Sequence, residues 1–100
     1  MIIETEGTPA VLEQLAEECM ELAHAALKLS RKLRGESPTP KSLAECIDAM
    51  TEETADVMCC IDQLNGVVDQ KEVSRIRENK EQRWKLRLRP EWQEGDKNEV

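Results

Sequence analysis

The chain is 100 residues long, carries 14 Lys and Arg against 21 Asp and Glu, and has a net charge of −7 at neutral pH. This length allows one domain or one protomer of an oligomer and excludes a two-domain enzyme with its own cleft. The acidic balance argues against a partner that is a nucleic acid polymer, since such binding needs a basic face.

The first of three predicted helices spans about 9–34. Thr8-Pro9 is expected to open it, because Thr caps helices well and Pro suits the first helical position. Gly35 is a natural C-terminal stop. Apolar residues recur at helical spacing and form one stripe: Val11, Leu15, Cys19, Leu22, Ala26, Leu29 and Leu33.

A Pro-containing loop over 35–40 precedes the second predicted helix, about 42–65. This helix should begin near Lys41 or Ser42 and end at Asn65-Gly66. Its apolar stripe has heptad-like spacing, interrupted by one Thr: Leu43, Ile47, Met50, Thr54, Val57, Ile61 and Leu64.

The third predicted helix spans about 70–89 and is limited by Pro90, with a frayed tail over 91–100. Asp69 is expected to cap it, with Glu72 completing a capping box. Few Gly, Pro and aromatic residues also favour helices over sheets. We therefore predict an all-α, antiparallel helical bundle, one domain over 1–100, whose thin core is completed by dimerisation.

The sequence predicts a cytoplasmic protein with no membrane partner. No apolar run approaches the ~18 residues needed to span a bilayer, and the first residues lack the basic region of a secretory leader. The four cysteines lack C-x-x-C spacing and the chain has one His, so a zinc site is not expected. The cysteines are interpreted as free thiols that pack as small apolar side chains.

Two acidic pairs with the same spacing stand on the first two helices. Glu18-Cys19-Met20-Glu21 is E-x-x-E, and Glu53-Thr54-Ala55-Asp56 is E-x-x-D. A separation of three residues places both carboxylates of a pair on one helix face, at the margin of the apolar stripe. In an antiparallel pair four carboxylates can converge, and hard oxygen ligands suit a divalent cation. The alternative is a solvated face of charge pairs.

Positive charge follows the acidic pairs in two places. One stripe of the first helix runs from carboxylates to ammonium groups: Glu18, Glu21, Ala25, Lys28 and Lys32. Residues 71–89 carry eight basic and three acidic groups. Metal ligands beside cations suit a metal-bound polyphosphate, whereas the alternative for the basic stretch is a solvated helix face.

The two acidic segments resemble two motifs of the MazG-like nucleoside triphosphate pyrophosphohydrolases, an all-α family that also includes dUTP and dCTP pyrophosphatases. The first is Glu17-Glu18-Cys19-Met20-Glu21-Leu22, followed by Ala25, Lys28 and Arg31. The second is Glu52-Glu53-Thr54-Ala55-Asp56-Val57. With the loop between them, the motifs cover about 11–65. Residues 75–80 and Arg83-Trp84 resemble the family's final basic motif more loosely.

The resemblance implies a magnesium-dependent hydrolase, with manganese as a possible substitute, that cleaves a nucleoside triphosphate between the α- and β-phosphates. It implies that the catalytic and metal-binding residues are Glu18, Glu21, Glu53 and Asp56. It implies that the phosphates meet Lys28, Asn79, Lys80 and Arg83. Protomers of the family share a bundle core, so a homodimer or homotetramer is expected.

Two other interpretations remain open at this point. In the first, the chain is an interaction protein: a helical oligomer with charged faces and no catalytic activity. The heptad-like apolar stripe of the second helix is consistent with this interpretation. The segment Glu21-Leu22-Ala23-His24 is E-x-x-H, which is typical of di-iron bundles, but that site needs two such motifs. Nucleotide turnover with and without a chelator separates an enzyme from an interaction protein.

Overall fold

Three α-helices make up the architecture. The computed structural model describes residues 6–36 and 40–88, and within these ranges it contains no strand. Helix α1 is Thr8–Arg34, α2 is Leu43–Asp62 and α3 is Gln70–Leu88. The predicted all-α class is therefore confirmed.

The chain divides into two compact units, 1–66 and 67–100. The first unit is the pair of helices α1 and α2, and the second contains α3. The prediction of a single domain over 1–100 stays a prediction, and the predicted frayed tail over 91–100 lies outside the described residues. No helix in the described part of the chain is long and apolar enough to cross a membrane.

Glycines define both ends of α1. Gly7, with φ of 86° and ψ of 175°, precedes the helix, and its carbonyl accepts the amide of Val11 at 3.3 Å. The predicted N-cap at Thr8 is therefore wrong by one residue, because the chain enters the helix through a backbone conformation that suits glycine. Gly35 is left-handed, with φ of 67°, and its amide donates to the carbonyl of Lys32 at 3.2 Å, as expected for the predicted stop.

A capping box starts α2. The amide of Glu45 donates to Ser42 Oγ at 3.1 Å, and the amide of Ser42 donates to Glu45 Oε1 at 3.0 Å. Two amides that the helix leaves unpaired are thereby satisfied, which fixes the start of α2 at this point. The helix ends at Asp62, before the Asn65-Gly66 pair at which the sequence predicts its end.

Helices α1 and α2 pack against each other and run antiparallel, because residues late in α1 lie opposite residues early in α2. The buried apolar residues in the described ranges are few and mostly small: Val11, Ala25, Cys46, Val57, Cys60 and Leu64. The predicted stripe of the second helix is buried only in part: Val57 and Leu64 are buried, whereas Leu43, Ile47 and Ile61 are exposed on the single chain. Cys46 and Cys60, which lie beside that stripe, are buried as well.

Asp69 caps α3 as predicted, whereas the predicted capping box with Glu72 stays a prediction. Asp69 Oδ1 accepts the amides of Lys71 and Glu72, each at 3.1 Å. The carboxylate of Glu72 accepts hydrogen bonds from the guanidinium of Arg75 one turn further on. The helix carries a polar and mainly basic surface.

Candidate functional site

Three carboxylates from two helices converge in the first unit. Glu18 of α1 and Glu53 and Asp56 of α2 each offer one oxygen, and these oxygens lie within 4.8 Å of one another. The antiparallel packing places the E-x-x-E segment of α1 opposite the E-x-x-D segment of α2. Three of the four predicted metal ligands thus share one small region of the structure.

The fourth predicted ligand, Glu21, is a neighbour of Glu53. Partial burial of the Glu53 carboxyl raises its pKa above the ordinary value of 4.5, and the charge of Glu21 and a hydrogen bond with it raise the pKa further. The charges of Asp56 and Glu18 act in the same direction. Without a cation the four carboxylates therefore favour retention of a proton at Glu53.

Two oxygens of this cluster are buried without a protein partner. They are Glu18 Oε2 and Glu53 Oε2. A buried carboxylate oxygen without a hydrogen bond destabilises the fold, and a cation, if one bound here, would supply the missing interaction. The other Glu18 oxygen, Oε1, accepts a 2.7 Å hydrogen bond from Gln14 Nε2. Sequence reasoning missed Gln14, although its place one turn before Glu18 on α1 is a signal for such a contact.

The atoms of the cluster that could ligate a metal ion are carboxylate oxygens. The thiol of Cys60 lies beside it, but burial first, and then the charge of Glu18, raises the thiol pKa above its ordinary value of 9.0. Cys60 is therefore a neutral thiol at neutral pH and a poor metal ligand. Carboxylate oxygens select hard cations, so the residues present fit Mg²⁺ or Mn²⁺ better than a thiophilic metal.

A pocket of about 240 Å³ adjoins the carboxylates between α1 and α2. Its lining residues are Glu21, His24, Ala25, Lys28, Lys41, Cys46, Ala49 and Glu53. Lys28, predicted to bind phosphate, thus shares one cavity with two of the predicted metal ligands. The sequence does not place His24 or Lys41 in this pocket, because E-x-x-H spacing points to a metal ligand or a solvated residue and Lys41 marks only the start of a helix.

The remaining predicted phosphate ligands, Asn79, Lys80 and Arg83, lie on α3 in the second unit. Asn79 and Arg83 line a shallow surface depression of that helix together with Arg75. Their approach to a phosphate chain stays a prediction.

No family model, no curated protein and no solved structure matches this chain. The resemblance to the MazG-like family rests on the two acidic motifs and stays a prediction.

Proposed function

We propose that the chain is a magnesium-dependent nucleoside triphosphate pyrophosphohydrolase of MazG-like type. It converts a nucleoside triphosphate to a monophosphate and pyrophosphate. The observation that carries this proposal is the cluster of Glu18, Glu53 and Asp56, whose oxygens lie within 4.8 Å of one another beside a pocket containing Lys28.

Burial of two carboxylate oxygens favours a metal site over the alternative of a solvated helix face with charge pairs. Solvated carboxylates have water on both oxygens, whereas Glu18 Oε2 and Glu53 Oε2 are buried and have no protein partner. Like charges held this close repel each other unless a proton or a cation intervenes. Both features support the proposal that a divalent cation binds between these carboxylates.

In the proposed site, different residues bind the cation, orient its ligands and contact the phosphates. Glu18, Glu21, Glu53 and Asp56 hold the cation, and Gln14 orients Glu18 through its hydrogen bond. When bound, Mg²⁺ supplies neutralisation of phosphate charge and a more acidic water. Either Glu18 or Glu21 accepts the proton of the attacking water. Lys28 stabilises negative charge on the departing pyrophosphate.

The proposed active form is a homodimer or homotetramer. The helix pair of the first unit leaves large apolar side chains exposed on the single chain, among them Met20, Ile47 and Met58 at 62%, 46% and 58%. Six buried apolar residues make a small core for the described residues. A second copy packed on the exposed face of α2 would bury the members of the predicted stripe that the single chain leaves exposed, Leu43, Ile47 and Ile61.

The test is nucleotide turnover with product identification. Wild-type protein is incubated with a panel of ribo- and deoxyribonucleoside triphosphates, with Mg²⁺ or with a chelator, and the products are separated by chromatography. We expect a monophosphate and pyrophosphate with Mg²⁺ and no products with the chelator. Glu53→Gln should abolish turnover, and Glu52→Gln, an exposed neighbour on α2, should keep it.

If the chain is instead a non-catalytic interaction protein, it should hydrolyse no nucleotide. If no nucleotide turns over with either Mg²⁺ or Mn²⁺ while the protein is a folded oligomer, the enzyme proposal is wrong. Release of a diphosphate and orthophosphate would instead contradict the site of cleavage. The exposed apolar side chains of α2 are consistent with both functions, so turnover decides between them.

A further inference from the structure

We propose that the pocket beside the carboxylates is a subsite for the terminal phosphates of a polyphosphate, and that His24 and Lys41 bind them together with Lys28. This inference rests on the proposed function, because it adds anion-binding residues to the same site. Residues from α1 and from the segment before α2 then hold one phosphate chain from two sides.

The charges of the lining residues support an anion at one end of the pocket. Glu21 and Glu53 lie at the cation site, whereas His24, Lys28 and Lys41 provide hydrogen-bond donors to the rest of the pocket. Ammonium groups bind phosphate as compact charges, and an imidazole N–H donates to a phosphate oxygen in its neutral or protonated form. A metal-bound polyphosphate would place its metal ion beside the acidic residues of the lining and its outer phosphates beside the basic residues.

The lining favours phosphate over a nucleobase. Among the described residues the lining contains no Phe, Tyr or Trp and its one aromatic ring is the imidazole of His24; its remaining walls are the small side chains of Ala25, Cys46 and Ala49. A base is usually held by stacking on an aromatic ring or by an apolar slot of matching size. Charged donors facing a space of about 240 Å³ suit the phosphates instead.

Lys41 is held near the pocket by the start of α2. It directly precedes Ser42, the N-cap, and the capping box fixes Ser42 against Glu45. Lys41 also lies close enough to Glu45 to help lower the pKa of that carboxyl, after the hydrogen bonds from Ser42. The ammonium group is thus attached to an ordered helix start, which reduces the entropy lost when it binds an anion.

The test measures binding of inorganic tripolyphosphate in the presence of Mg²⁺ by calorimetry, so it requires no turnover. The variants are Lys41→Gln and His24→Gln. The matched control is Arg34→Gln, which removes one positive charge from an exposed side chain in the last turn of α1, outside the lining of the pocket. Melting curves with Mg²⁺ and with a chelator are recorded for each protein to report separately on the cation site.

We expect Lys41→Gln and His24→Gln each to raise the Kd for tripolyphosphate about tenfold, as loss of one charge-assisted or strong hydrogen bond does. Arg34→Gln should change it by less than about twofold, because Arg34 lies outside the pocket lining and its longer-range effect is screened by salt. The rise in melting temperature with Mg²⁺ should be the same in all four proteins.

Four results would overturn the subsite. Binding by Lys41→Gln and His24→Gln equal to wild type would remove these residues from the site, and so would an equal weakening by Arg34→Gln. Failure of wild type to bind tripolyphosphate while Mg²⁺ still raises its melting temperature would refute the subsite and leave the cation site standing. Absence of any Mg²⁺ response in wild type would overturn both proposals.

Discussion

Gln14 Nε2 donates a 2.7 Å hydrogen bond to Glu18 Oε1, and the second oxygen of the same carboxylate, Oε2, is buried without a protein partner. One oxygen of Glu18 is therefore held by the protein, and the carboxylate contributes an oxygen to the cluster with Glu53 and Asp56. If the proposed metal site exists, this hydrogen bond is the contact by which Gln14 orients a metal ligand.

Gln14→Ala should consequently weaken Mg²⁺ binding about 10- to 100-fold, because Glu18 loses the contact that fixes its rotamer. The measurement is the Mg²⁺ concentration that gives half of the maximal rise in melting temperature. Glu13→Ala, an exposed neighbour on α1, is the control and should leave that concentration unchanged. Equal Mg²⁺ dependence in wild type and Gln14→Ala would show that the hydrogen bond does not position the ligand.

Glu53→Gln and Asp56→Asn should separate metal binding from folding. Each removes one charge from a repelling cluster, so the metal-free protein should be as stable as wild type or slightly more so. Each should also lose most of the melting-temperature rise that Mg²⁺ gives wild type by mass action. Paired melting curves, with Mg²⁺ and with a chelator, measure both effects.

Leu64→Ala is the contrasting core variant, because Leu64 is only 2% exposed. It should lower the free energy of unfolding by about 2–5 kcal/mol with or without Mg²⁺. If Asp56→Asn lowers metal-free stability as much as Leu64→Ala and keeps the Mg²⁺ response, the carboxylates are structural and the metal assignment is wrong.

The raised pKa of Glu53 makes metal-free stability depend on pH. Partial burial is the main cause, followed by the neighbouring carboxylates, and the folded pKa lies above the ordinary value of 4.5. The folded state therefore holds this proton more tightly than the unfolded state. Its stabilising contribution is complete below pH 4.5 and is lost as the pH rises through the folded pKa.

The free energy of unfolding of wild type and of Glu53→Gln is measured by denaturant titration with a chelator. We expect the value for wild type minus the value for the variant to fall as the pH rises above 4.5. Glu45→Gln provides a control of opposite sign. Hydrogen bonds from Ser42 lower the pKa of Glu45, so the advantage of wild type over Glu45→Gln should be lost as the pH falls through the folded pKa of Glu45. A pH-independent difference for Glu53→Gln would contradict the described cluster.

Ile47→Glu should dissociate the proposed oligomer. Ile47 is 46% exposed on the single chain and belongs to the apolar face of α2 that the helix pair leaves uncovered. Burying a charge in an interface without a partner is strongly unfavourable. Light scattering should report a smaller species for Ile47→Glu than for wild type, with helix content retained. Ser74→Glu, on exposed α3, should keep the wild-type mass, and a wild-type monomer would refute the oligomer.

The sequence predicted what depends on local chemistry. Asp69 starts α3 because its side chain accepts amides of the first turn. Gly35 ends α1 because its left-handed backbone conformation closes the last turn. The convergence of Glu18 with Glu53 and Asp56 was also accessible, since helical spacing and antiparallel packing suffice to bring them together.

The sequence predicted the packed face of the second helix only in part. Val57 and Leu64 of the predicted stripe are buried, whereas Leu43, Ile47 and Ile61 are exposed on the single chain and Cys46 and Cys60 are buried beside it. Spacing identifies an apolar face but not which of its members are covered, because that depends on how the partner helix packs. The pocket contacts of Lys41 depend on the same tertiary packing.

The most direct measurement of the central claim is hydrolysis of a nucleoside triphosphate in heavy-oxygen water with Mg²⁺, followed by mass spectrometry of both products. Attack of water on the α-phosphorus places the heavy oxygen in the nucleoside monophosphate and leaves the pyrophosphate unlabelled. We expect that result for wild type and no labelled product for Glu53→Gln. Label in pyrophosphate, label in orthophosphate, or equal labelling by Glu53→Gln would contradict the account.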